Sequence, residues 1–289
     1  MKKMNLIFAL FLSFADIILM NAQEIRFNFP SFKGDQYTFC LIQGEKNDTI
    51  SKGTIPKDGK FSIRIPEKYK GYKGMGKWFL KKGGGLALVI NNENFVVESK
   101  DSLPNHNNIY FKNSPENEFL IQQFYQQKEV LSKYAAVTHA LEVYDANERF
   151  YPILKSEQMN LRNEYEAFRH KLDSVNLYAA DFRRISDAVA GLSDYLFESE
   201  EDQRLELINY ITYRMNWGYL YTSGHWQNMI SQWIQLQLKV YDEPLFIKNI
   251  QLVASKIKEN EPLYLNFVNS VNQELSGSKN EYLLELLSQ

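Results

Sequence analysis

Cysteine is almost missing from this 289-residue chain: the single one, Cys40, leaves no intramolecular disulfide and no dithiol pair for redox exchange. Histidine is scarce as well. The four present, His106, His139, His170 and His225, form neither an HExxH arrangement nor a pair one helical turn apart, so spacing implies no metal and no other cofactor. No GxSxG elbow occurs, and spacing nominates no Ser-His-Asp set. Charge of one sign is also lacking, the formal net charge being -2, which leaves no electrostatic footprint for nucleic acid. Beyond the N-terminal stretch no run of about 18 apolar residues occurs, so no transmembrane segment is expected in the mature chain.

What the chain does have begins with a basic tip, Lys2 and Lys3, an apolar stretch and small residues before Gln23. This is the layout of a secretory signal over residues 1–22, although Asp16 interrupts the apolar run. An earlier cut after Ala15 would leave Ile17, Ile18 and Leu19 on the mature end. No cysteine follows for lipid attachment, and the expected location is the periplasm or cell envelope.

From residue 23 to 112 the signals are those of strands. Ile25, Phe27 and Phe29 alternate, as do Phe61, Ile63 and Ile65, the period of two of a half-buried antiparallel sheet. Asp58-Gly59 suits a hairpin turn. Roughly eight short strands at close spacing predict an antiparallel β-sandwich. The joint is "FKNSPENEFL": Ser114 can cap a helix, Pro115 fits its first turn, and Glu116 and Glu118 complement the positive end of its dipole. From 113 to 289 the pattern is helical. Phe246, Ile250, Val253 and Ile257 make one apolar face, and Tyr264, Phe267, Val268, Val271 and Leu275 make another. Breakers at Pro152, Gly191, Gly218, Pro244, Pro262 and Gly277 divide the region into about six or seven helices. The expected class is therefore α+β in two domains, a β-sandwich followed by an all-α domain. The terminal "NEYLLELLSQ" starts an amphipathic helix without a glycine cap, so the architecture is expected to continue past it.

Each chemical candidate has a plainer reading. Lys81-Lys82-Gly83-Gly84-Gly85 precedes a strand-like "LALVI" instead of a helix, which points to a loop and not a phosphate cradle. Cys40 lies in a strand with apolar residues on both faces, where a thiol behaves as a small hydrophobe. The acidic "ESEED" at 198–202 reads as a solvated helix start. The segment 213–233 is richer: Trp217, Tyr219, Tyr221, His225 and Trp226 can form a stacking platform for a glycan or a peptide. Against that, Trp226, Met229, Ile230, Trp233 and Ile234 share one helical face, the pattern of a core.

"KDGKFSI", "GMGKWFL", "FKNSPENEFL", "YRMNWGYLYTSGHWQNMISQWI" and "IKENEPLYLNFVNSV" together resemble the N-terminal accessory region of secreted bacterial thioredoxin-like proteins, of the alkyl hydroperoxide reductase and thiol-disulfide oxidoreductase type. The resemblance covers nearly all of the mature chain. It implies a β-sandwich and a helical domain placed ahead of a C-terminal thioredoxin domain that carries a CxxC pair. This chain has no CxxC, so no catalytic residue carries over. The expectation is a secreted, non-catalytic envelope module that positions a partner, a thioredoxin-like domain encoded separately or lost by truncation. The alternative is a glycan- or peptide-binding protein that uses the aromatic segment. A hydrolase assembled from distant residues is a third class.

Overall fold

The computed structural model describes residues 23–102, 108–240, 242–276 and 280–287, the side chain of Leu286 excepted. The expected signal segment 1–22, His106 and Gly277 lie outside the described residues. Strands β1 (Glu24–Asn28), β2 (Gln36–Gln43), β3 (Lys46–Thr54), β4 (Lys60–Arg64), β5 (Lys73–Leu80), β6 (Gly85–Asn91), β7 (Phe95–Glu98) and β8 (Tyr110–Lys112) come first. They form two four-stranded sheets in the orders β4-β1-β7-β8 and β3-β2-β5-β6. The alternation read from the sequence is the inward face: Ile25 pairs with Ile63 and Phe27 with Phe61, and the Phe27 and Phe61 rings stack at 4.7 Å. Between the sheets Trp78 meets Phe27, Phe29, Phe32, Tyr37 and Phe61.

Two features depart from a simple antiparallel sandwich. First, β1 pairs with β7 in parallel, so that pair is joined through the other sheet and not by a hairpin. Second, the Asp58-Gly59 turn is present, with Gly59 at φ 75° and its N–H on Pro56 O at 2.9 Å, but it carries the chain from β3 in one sheet to β4 in the other. Gly59 O accepts from Phe29 N at 2.8 Å, and a Cβ on Gly59 would run into the Pro30 backbone. Glycine is needed there both for its backbone angle and for that close approach.

After β8 come α1 (Pro115–Val143), α2 (Tyr151–Asp173), α3 (Tyr178–Val189), α4 (Glu200–Asn209), a π-helical turn (Tyr210–Arg214), α5 (Trp217–Tyr221), α6 (Trp226–Leu238), α7 (Glu243–Ile257), α8 (Glu261–Leu275) and α9 (Tyr282–Leu287). The helix after the joint starts at Pro115 as its residues predict, with Ser114 Oγ accepting from Asn117 N. Ser199, Asn216, Asp242 and Asn260 cap α4, α5, α7 and α8 in the same way. Pro152, Pro244 and Pro262 sit in first turns, where a missing N–H costs nothing. Proline therefore opens helices here, and the described residues hold more of them than the breakers suggested. Gly218 does not break one: it lies inside α5, and Gly224, at φ 82°, makes the turn into α6.

The helices bury the apolar faces that the sequence marked. Phe246, Ile250, Val253 and Ile257 of α7, with Phe267, Val271 and Leu275 of α8, close around Met229, Ile230, Trp233 and Ile234 of α6. A second layer of contact joins them to the sheets: Ile42, Met75 and Val89, on the outer face of the β3-β2-β5-β6 sheet, pack on Tyr178 and Ala179 of α3. That sheet is covered on both sides, which is why β2 and β6 read as continuous apolar runs. In the helical part Arg169 is buried in ion pairs with Asp187 and, at 2.9 Å, Asp194, while Arg183 also reaches Asp187 at 2.6 Å. Among the described residues no helix is long and apolar enough to cross a membrane.

Candidate partner-binding groove

The aromatic segment is a joint and a core, not a platform. Trp217 is 3% exposed and Trp226 1%. The Trp217 indole donates to Ile211 O at 3.2 Å and the Trp226 indole to Ser270 Oγ at 3.0 Å, so both N–H groups are spent internally. Tyr219 packs edge-on against Tyr178 at 5.0 Å, and Tyr221 against Trp226 at 5.5 Å. The backbone here serves the sheet: Tyr221 O accepts from Gly44 N at 2.6 Å and Thr222 O from Met75 N at 2.8 Å. His225 is half-buried, 3.1 Å from Ser186 Oγ; burial, and then the nearby Lys77 charge, hold its pKa below the usual histidine value. The structure thus brings the five residues into one neighbourhood but leaves no indole face of Trp217 or Trp226 for a sugar or a peptide.

The remaining reactive groups are equally committed. Cys40 is buried in β2, 3.4 Å from Thr49 Oγ1, without the exposure a reactive thiol needs. Among the described residues no three His, Cys, Asp or Glu side chains converge as a metal site. Gly83 and Gly84, at φ 102° and 86°, turn β5 into β6, with no helix N-terminus to hold a phosphate.

Concave apolar surface lies instead where the two sheets open at one end. A groove of about 310 Å³ is lined by Leu86 and Ala87 of β6, Phe111 of β8, Leu120, Ile121 and Phe124 of α1, and Phe182 of α3. Most of these side chains are half-buried, their apolar atoms still in reach of water. Arg183, at the rim, is neutralised by Asp187 at 2.6 Å and stacks over Phe124 at 5.9 Å. The floor is the edge of a sheet, because β6 ends the order β3-β2-β5-β6. The Asn117 side chain pins α1 to that edge: its Oδ1 accepts from Val89 N at 2.8 Å and its Nδ2 donates to Val89 O at 2.9 Å.

Part of this site is legible in the residues. Leu120, Ile121 and Phe124 are neighbouring apolar residues of α1, but which sheet edge they would oppose depends on a strand order that no local pattern encodes. No family model, no curated protein and no solved structure matches this chain.

Proposed function

We propose that this chain is a secreted, non-catalytic binding module of the cell envelope, holding a partner polypeptide in the groove between β6, β8, α1 and α3. The observation that carries the reading is a contrast of exposure: the lone thiol is buried and committed to a strand, whereas the groove keeps apolar side chains half-open around the edge of a sheet. A concave apolar lining with few polar groups is the form a binding site takes. The basic and apolar pattern of residues 1–22 supports export, and the resemblance to accessory regions of thioredoxin-like oxidoreductases supplies a partner class, a thioredoxin-fold domain.

An insulin disulfide-reduction assay with dithiothreitol tests this reading. The wild-type chain and Cys40→Ala are expected to be equally silent, since exchange through a dithiol needs two thiols within bonding reach. Turnover by the purified wild type at the rate of a dithiol oxidoreductase would overturn it.

A further inference from the structure

We infer that the groove takes an extended segment of a partner polypeptide as an added strand on the edge of β6, and that this segment carries apolar residues at adjacent positions. The inference rests on the binding-module reading and names what the module holds.

Hydrogen-bonding geometry leads to it. In an antiparallel ladder the residues of an edge strand point their N–H and C=O groups alternately toward the neighbour and away from the sheet. Val89 points away, because Asn117 takes both of its groups. Its partner in β5, Met75, confirms the phase: Met75 N donates to Thr222 O, and Met75 O lies 2.9 Å from the Tyr72 hydroxyl, both away from β6. Two residues earlier, Ala87 therefore points outward as well, and so does Gly85. Both are exposed, and among the described residues neither outward pair of groups has a partner. The chain itself occupies one rung of the edge with a side-chain amide that imitates a strand residue, and leaves the next two open. Unpaired backbone groups of this kind are a template for an extended chain.

The side chains set the chemistry of that strand. A residue pairing with Ala87 projects on the same face as Ala87, over a methyl group, where Leu120 and Phe182 pack with Met75 and Val89, so an apolar residue is favoured there. The next residue turns to the opposite face, where Leu86 and Phe111 frame the apolar mouth. It should be large and apolar. Asn117 closes the rung at Val89, so the added strand spans the rungs of Ala87 and Gly85, about three residues or roughly 10 Å.

Selection of a random octapeptide library on the full-length protein tests the inference. The expected winners place apolar residues such as Phe, Leu, Ile or Trp at adjacent positions. Their affinity should fall about tenfold or more in Ala87→Pro, which removes an outward N–H at an edge position where proline is tolerated. Methylation of the peptide nitrogen at the rung residue should do the same. The methylated peptide decides the matter with the wild-type protein if Ala87→Pro fails to fold. Selected peptides indifferent to methylation, or a selection with no winner competing for the groove, would overturn strand addition while leaving the redox result untouched. A dimer of the wild type that Ala87→Pro abolishes would assign the edge to a second copy and overturn it equally.

Discussion

Glu116 shows how far a single side chain departs from its local assignment. By position it is a first-turn acid of α1, placed to complement the dipole of its own helix. In the fold it is 0% exposed, and its carboxylate accepts from Tyr178 N at 3.1 Å, Ala179 N at 2.7 Å and Asn91 Nδ2 at 2.5 Å. Tyr178 and Ala179 are the first residues of α3, whose N-cap, Leu177, has no side-chain acceptor. Glu116 supplies that cap from another helix, tying α1, α3 and the end of β6 at one point. Glu116→Ala leaves two helix N–H groups and an amide without partners in a dry site, and should cost about 2–3 kcal/mol of stability. Glu116→Gln keeps one accepting oxygen and should lose less. Urea unfolding of the three proteins checks the order; a loss in Glu116→Ala below about 0.5 kcal/mol would mean that water replaces the carboxylate.

At the scale of elements the decisive contact is α1 on β6. The helix does not pack there by apolar matching alone: Asn117 converts a strand edge into a surface a helix can cover, by filling the two backbone positions at Val89. Asn117→Ala should expose that rung, speed hydrogen exchange at the Val89 amide and cost about 1–3 kcal/mol; an unchanged Val89 exchange rate would show that another group protects the edge. Much at this scale was legible in the residues. Ser114-Pro115 marks its helix start because capping and the first-turn tolerance of proline are local effects, and the same holds for Asp242 with Pro244 and Asn260 with Pro262. What escaped reading depends on residues far apart. The Asp58-Gly59 turn has hairpin chemistry, yet β3 and β4 part into different sheets, since it is the packing of Gly59 on Pro30 that fixes where the chain goes. The groove escaped for the same reason: Ala87 is an unremarkable strand residue until β6 becomes an edge. The aromatic run was read two ways, and the helical face of Trp226, Met229, Ile230, Trp233 and Ile234 was the better guide, because indoles with internal hydrogen-bond partners pack as core.

Across the whole molecule, the sheets and the helices share one joint built largely from backbone. Gly44 N and Met75 N donate to Tyr221 O and Thr222 O, and Thr222 Oγ1 donates to Lys73 O at 2.7 Å, so residues 221 and 222 extend the hydrogen bonding of β2 and β5. Inside, the Tyr72 hydroxyl accepts from Ile42 N at 3.1 Å and lies 2.8 Å from Ile42 O, in a setting whose burial drives its pKa well above the usual phenol. Gly74 is where this joint has no slack: a Cβ there would collide with the Thr222 side chain and the Tyr72 hydroxyl. With so many bonds crossing, the sandwich and the helices should unfold as one unit in the wild type, even though each has its own apolar cluster. Gly74→Ala forces residues 221 and 222 away from the sheet while leaving both clusters intact, and should cost about 1–3 kcal/mol, as overpacking does. Hydrogen exchange followed by mass spectrometry through a urea series reads the coupling directly, comparing segments from 24–98 with segments from 226–275. Coincident opening of the two in the wild type and separated opening in Gly74→Ala is the expected pair of results. Separate opening already in the wild type would mean that the joint is a hinge, and the groove beside it, bounded by β6 on one side and α1 and α3 on the other, would then change its width as the two parts move.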